Sequence, residues 1–119
     1  MSLEAIEYTT GDELDPYQVT LTYKDGTPIN FDKAYLRIKK KGATLNAIEK
    51  TITATLSDDG IITDNICRFD WEIDEWKTAG VGMYEGQIIY EDIVTGRDRG
   101  YPEKQLFIIS ERFEENPVS

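Results

Sequence analysis

The chain contains no histidine and a single cysteine among its 119 residues. Without histidine, neither Ser-His-Asp nor Cys-His nucleophilic catalysis can be assembled within one chain, and histidine-ligated metal centres are excluded with them. Cys67 has no partner for an internal disulfide or a cysteine-rich zinc site, which fits a reducing compartment. It falls within a strand pattern, where a lone cysteine reads as a small buried hydrophobe. No apolar run approaches the roughly 18 residues of a membrane helix. Nothing in the first thirty residues resembles a signal peptide, so no membrane association is expected. Basic residues are also scarce. Thirteen Lys and Arg against 23 Asp and Glu leave a net charge of −10, which repels a phosphate backbone. The basic run "RIKKKG", Arg37 to Gly42, lacks interleaved aromatic stacking residues and reads as a solvated strand end, so no nucleic-acid partner is expected.

Helical periodicity is missing as well, and what replaces it is a period of two nearly throughout. At 119 residues the chain is long enough for one domain with its own core. In "YQVTLTY" the residues Tyr17, Val19, Leu21 and Tyr23 share a face, and "KDGTP" turns the chain because Asp25-Gly26 supplies the positive φ of a tight turn. "AYLRIKK" points Ala34, Leu36 and Ile38 inward. "IEKTITATL" aligns Ile48, Ile52, Ala54 and Leu56, and "SDDG" makes the next turn. "ICRFDWEI" sets Cys67, Phe69, Trp71 and Ile73 against Arg68, Asp70 and Glu72, the alternation of a sheet with one face on a core and one in water.

"DEWKTAG" then reads as a short turn or single helical turn crossing between sheets, with Gly80 and Gly82 allowing a sharp bend. In "MYEGQIIYED" the residues Tyr84, Gly86, Ile88 and Tyr90 line one face, and Tyr84 opens its strand as the tyrosine of a Greek-key corner does. "TGRDRG" leads into "EKQLFIIS", where Leu106 and Ile108 are expected to complete the core. The pattern predicts an all-β chain, an immunoglobulin-like antiparallel β-sandwich of about seven strands over residues 1–110. Residues 111–119 form an acidic C-terminal tail, expected to fray or reach a neighbour.

Carboxylates are the chemically capable groups present in number. Asp70, Glu72 and Asp74 would project from one strand face, and a calcium site needs about six oxygens converging at one point, which one strand cannot supply. Loops such as "GDELD" and "SDDG" could converge at one end of a sandwich, but a solvated acidic face is the plainer reading. A glycosidase-like carboxylate pair would need a cleft, for which turns this short leave little room. Trp71 reads as core, whereas Trp76 in the crossover is either an exposed binding residue or a plug for the sandwich end.

The order of these elements carries a family resemblance. "GDELDPYQVTLTYKDGTPINFDKAYLRIKKKG", "SDDGIITDNICRFDWEIDEWKTAGVGMYEGQIIYED" and "GYPEKQLFIIS" follow one another from Gly11 to Ser110. Together they resemble the small immunoglobulin-like proteins of tailed phages and prophages, including the N-terminal domain of the phage baseplate upper protein. "AGVGMY" is two residues longer than that family's Ala-Gly-x-Tyr step, and "INFDKA" replaces its usual Leu-Thr-Gly-Ala link. The resemblance implies a virion structural protein of tail or baseplate type, without catalysis or cofactor. Its expected partners are other virion proteins and itself, in the virion or in the host cytoplasm during assembly. Trp76, Tyr35, Phe107 and Phe113 are the expected partner contacts, from crossover, outward or terminal positions. The alternative is a carbohydrate-binding or calcium-dependent adhesion sandwich using Trp76 and the acidic loops.

Overall fold

Alternation becomes pairing most clearly between β3 (Phe31–Lys40) and β7 (Gly82–Asp92). Their antiparallel register sets Ala34 opposite Tyr90, Leu36 opposite Ile88 and Ile38 opposite Gly86, so the two expected inward rows lie side by side on one face. In the computed structural model, which describes residues 4–12 and 14–111, every one of those six positions is buried. The larger sheet continues outward from this pair. β4 (Asn46–Thr53) flanks β3; β9 (Gln105–Ser110) and β1 (Ile6–Thr9) follow β7 on its other side.

The smaller sheet has the order β2 (Tyr17–Thr20), β6 (Ile66–Phe69), β5 (Gly60–Thr63), all antiparallel. The two sheets pack as a sandwich whose core joins Tyr17, Leu21, Ile62, Cys67 and Phe69 to Leu36, Ile38, Ile52, Ile88 and Phe107. Each such side chain contributes about 1.5–3 kcal/mol of apolar burial, which is what holds two thin sheets together. A single helical turn, α1 (Glu75–Ala79), crosses between the sheets where "DEWKTAG" predicts one.

Among the described residues nine strands form rather than about seven. Part of the surplus comes from β8 (Asp98–Gly100), which pairs with the later half of β7 while β9 pairs with its earlier half. Tyr101-Pro102 separates them, so one long return strand is broken in two. The other additions are β5, which pairs with β6, and β1, which runs parallel to β9 and is the terminal strand on that side of the sheet.

Four expectations about side-chain direction fail. In β9 it is Phe107 and Ile109 that are buried, while Leu106 and Ile108 lie half-buried on the outer face. β4 ends at Thr53, so Ala54 and Leu56 leave the sheet and Leu56 is exposed. β6 ends at Phe69, so Ile73 projects into solvent and Asp70, Glu72 and Asp74 form no strand face; Asp70 instead pairs with Arg68 at 3.1 Å. Tyr23 lies beyond β2, in the turn, and is exposed.

Candidate functional site

A helix as short as α1 is unstable alone and is fixed by the residues on either side of it. Asp74 takes φ 64°, reversing the chain before α1, and Gly80 takes φ 97° after it. Tyr84 then locks the exit, its hydroxyl lying 2.7 Å from the Ala79 carbonyl oxygen and 2.8 Å from that of Gly80. This is the tyrosine corner that the position of Tyr84 predicts. Its phenol, largely removed from water, is held above the ordinary tyrosine range by desolvation and stays a donor.

An aromatic cluster lies beneath the turn. The Trp76 ring centroid is 5.2 Å from that of Tyr84, 5.3 Å from those of Phe107 and Trp71, and 5.9 Å from that of Tyr8. Edge-to-face and tilted pairs at these distances add about 0.5–1.5 kcal/mol each beyond burial. Trp71 donates its indole N–H to the Tyr8 hydroxyl at 3.1 Å. Trp76 thus plugs the end of the sandwich, the second of its two anticipated roles.

A lysine is buried beside these rings. Lys50 is 2% exposed; its Nζ lies 2.8 Å from Glu75 Oε1 and 5.4 Å from the Trp71 ring centroid. The same Oε1 accepts the Glu72 backbone N–H at 3.1 Å, so one carboxylate joins β4, the approach to α1 and the helix itself.

A concavity of about 390 Å³ opens next to α1. Its walls are residues 9–12 and Leu14 on one side and residues 71–77 on the other. Trp76 is among the lining residues, and its Nε1 is buried with no hydrogen-bond partner among the described residues. Buried donors are satisfied in the great majority of cases, so this one calls for an explanation.

The expected contact residues separate. Trp76 and Phe107 come together inside the core, 2% and 0% exposed, and neither offers a surface to a partner. Phe107 is drawn inward because Gly86, on the neighbouring strand, leaves room for its ring: a Cβ at Gly86 would stand 2.9 Å from Phe107 Cε2. Tyr35 lies half-buried on the outer face of the larger sheet, with Lys33 Nζ at 5.5 Å and the Arg37 guanidinium carbon at 5.9 Å from its ring. Phe113 lies outside the described residues. Sequence reasoning missed Lys50 and Tyr8; Lys50 had a signal, since it sits between Ile48 and Ile52 in the same alternating row.

Cys67 is fully buried, and desolvation pushes its thiol up to about 12, which makes it a poor nucleophile. Asp59 is turned to a structural task, accepting the Thr51 backbone N–H at 3.0 Å. Among the described residues no group of three or more Asp, Glu, Cys or His side chains is placed to hold a metal ion. Among them, too, no helix is long and apolar enough to cross a membrane. Compared with known proteins, the chain matches no family model and no curated sequence.

Proposed function

We propose that this chain is a non-enzymatic assembly module that acts by protein–protein contact, as a tail- or baseplate-type structural protein of a phage or prophage. The observation that carries the reading is a subset of its exposed apolar side chains: of the eight large ones exposed among the described residues, three sit on two neighbouring segments. Leu45, Val81 and Met83 are 80%, 48% and 45% exposed. They occupy the β3–β4 hairpin and the entry to β7, two segments joined by the Lys41 N–H to Met83 carbonyl bond of 2.9 Å. Apolar groups gathered on neighbouring loops are what a protein that docks end-on presents. Among the described residues β1 and β4 are the terminal strands of the larger sheet, which adds candidate positions for strand addition.

The sequence resemblance supplies the virion setting, with other virion proteins and a second copy as partners. The carbohydrate alternative is less well supported, because sugar stacking needs an exposed ring and Trp76 has Tyr84, Phe107, Trp71 and Tyr8 around it. The test is mass spectrometry of gradient-purified particles released after prophage induction. Peptides of this chain at a fixed ratio to tail proteins are expected, and Leu45→Glu/Met83→Glu should lower that ratio. Expression in the lysate with absence from intact particles would overturn the reading.

A further inference from the structure

We propose that Phe113 and the glutamates two residues to either side of it, Glu111 and Glu115, dock onto the outer face of the larger sheet of a second copy of this chain. The inference rests on the assembly reading and deepens it, naming the partner and the segment that reaches it. Two adjoining rows of that face form the surface. In one, Met83 pairs with Ile108 across β7 and β9, and the Met83 carbonyl accepts the Lys41 N–H at 2.9 Å. The next sets Lys39 opposite Glu85 and Glu85 opposite Leu106. Met83 is 45% exposed and Leu106 and Ile108 are half-buried, so the rows share an apolar floor open to water. Lys39 and Lys41 flank that floor, both exposed, and among the described residues neither is in an ion pair. Glu85, opposite Lys39 in register, pairs instead with Lys104 at 3.6 Å.

The chain itself carries the complementary segment. β9 ends at Ser110, Glu111 is exposed, and residues 112–119, outside the described residues, continue as Arg-Phe-Glu-Glu-Asn-Pro-Val-Ser. In an extended segment Glu111, Phe113 and Glu115 face the same way, and two residues span about 7 Å, the distance between the two rows. With the Phe113 ring on Met83 and Ile108, one of the glutamates stands over the Lys39 row whichever way the segment runs, and Lys41 flanks the ring. An aromatic anchor on an apolar floor with a charged rim is the arrangement of a docking contact. Glu7, opposite Ile108 on β1, repels carboxylates from the far side and keeps them towards the lysines. Docking on the segment's own sheet would require a reversal within Glu111-Arg112, which holds none of the Gly, Pro, Asn, Asp or Ser residues that turns favour. A second copy requires no reversal.

Sedimentation velocity of the full chain across a concentration series measures the association. The parent should associate, and Lys39→Glu/Lys41→Glu and Glu111→Lys/Glu115→Lys should each weaken it by about tenfold, since an exposed ion pair contributes up to about fivefold and reversal adds repulsion. Phe113→Ser should weaken it at least as much. Lys39, Lys41 and Glu111 are exposed, and a chain carrying both charge reversals should associate as the parent does, a recovery that a damaged fold would not give. A nitroxide on Asn116→Cys locates the contact, because Cys67 is fully buried and escapes labelling. Mixed with ¹⁵N-labelled parent, the labelled chain should broaden the Met83 and Ile108 amide signals of the parent. Broadening confined to chains that carry both label and isotope overturns the second copy as occupant, and association indifferent to both reversals overturns the site. A parent that stays monomeric yet enters particles at a fixed ratio overturns this contact while the assembly reading stands. A parent that associates but is missing from particles overturns the virion reading instead.

Discussion

The Lys50–Glu75 pair can be taken apart in two unequal ways. Removing the carboxylate by Glu75→Leu leaves an ammonium at a position only 2% exposed, with the Trp71 ring but no counter-ion. Breaking a buried pair from one side costs about 3–5 kcal/mol, and because the Glu75 side chain keeps 18% exposure the lower end, about 3 kcal/mol, applies here. Removing the ammonium by Lys50→Met keeps the stem's packing and leaves Glu75 its Glu72 N–H and partial access to water, so a change within about 1 kcal/mol is expected. The double variant should then be more stable than Glu75→Leu alone. With an unfolding entropy of about 0.25 kcal/mol/K for a chain of 119 residues, 3 kcal/mol lowers Tm by about 12 °C. Thermal unfolding followed by circular dichroism, with urea midpoints at unchanged m-value as the check, measures all three. If Lys50→Met falls as far as Glu75→Leu, the buried ammonium stabilises the fold outright and the desolvation argument is refuted.

Tyr84→Phe should cost about 1–2 kcal/mol, because the Ala79 and Gly80 carbonyls lose their shared donor, and hydrogen exchange across α1 should quicken. Gly60→Ala should be far worse, at more than about 3 kcal/mol: φ is +134° and a Cβ would stand 1.8 Å from the Arg68 carbonyl oxygen, so a normal urea midpoint would show that β5 and β6 pair differently. Burial raises the Cys67 thiol from 9.0 to about 12 in the folded chain, so the unfolded thiol ionises first. Stability from this group is therefore complete below about pH 9 and falls as pH rises towards 12, at about 1.4 kcal/mol per pH unit. Urea midpoints between pH 9 and 10 should decline more steeply in the parent than in Cys67→Ala, where Tyr8, Tyr17, Tyr84 and Tyr90, also raised by burial, leave a residual slope, and identical slopes would contradict the buried thiol.

Where one strand face is apolar and the other polar, sequence alone placed the side chains: β3 and the Tyr84–Tyr90 row of β7 carry an unbroken alternation, and a one-residue slip would expose all of it. β9 offers no such contrast, because Leu106 to Ile109 are all apolar and either parity satisfies hydrophobicity. What chooses between them is a neighbour, Gly86, whose missing side chain makes the space that Phe107 fills. The crossover was half legible for a related reason. Tyr84 and the Asp-Glu-Trp break announce a corner locally, but the ring cluster that buries Trp76 joins residues 8, 71, 76, 84 and 107, and no local pattern joins those positions. Lys50 is the sharpest case. Strict alternation from Ile48 to Ile52 puts it inward, and a rule that charged residues face water puts it outward. The conflict is resolved by Glu75, twenty-five positions away, which supplies the counter-charge that makes an inward lysine tolerable. A polar residue on an otherwise apolar row therefore announces a partner elsewhere in the chain, and it is beside such a partner that the candidate site lies.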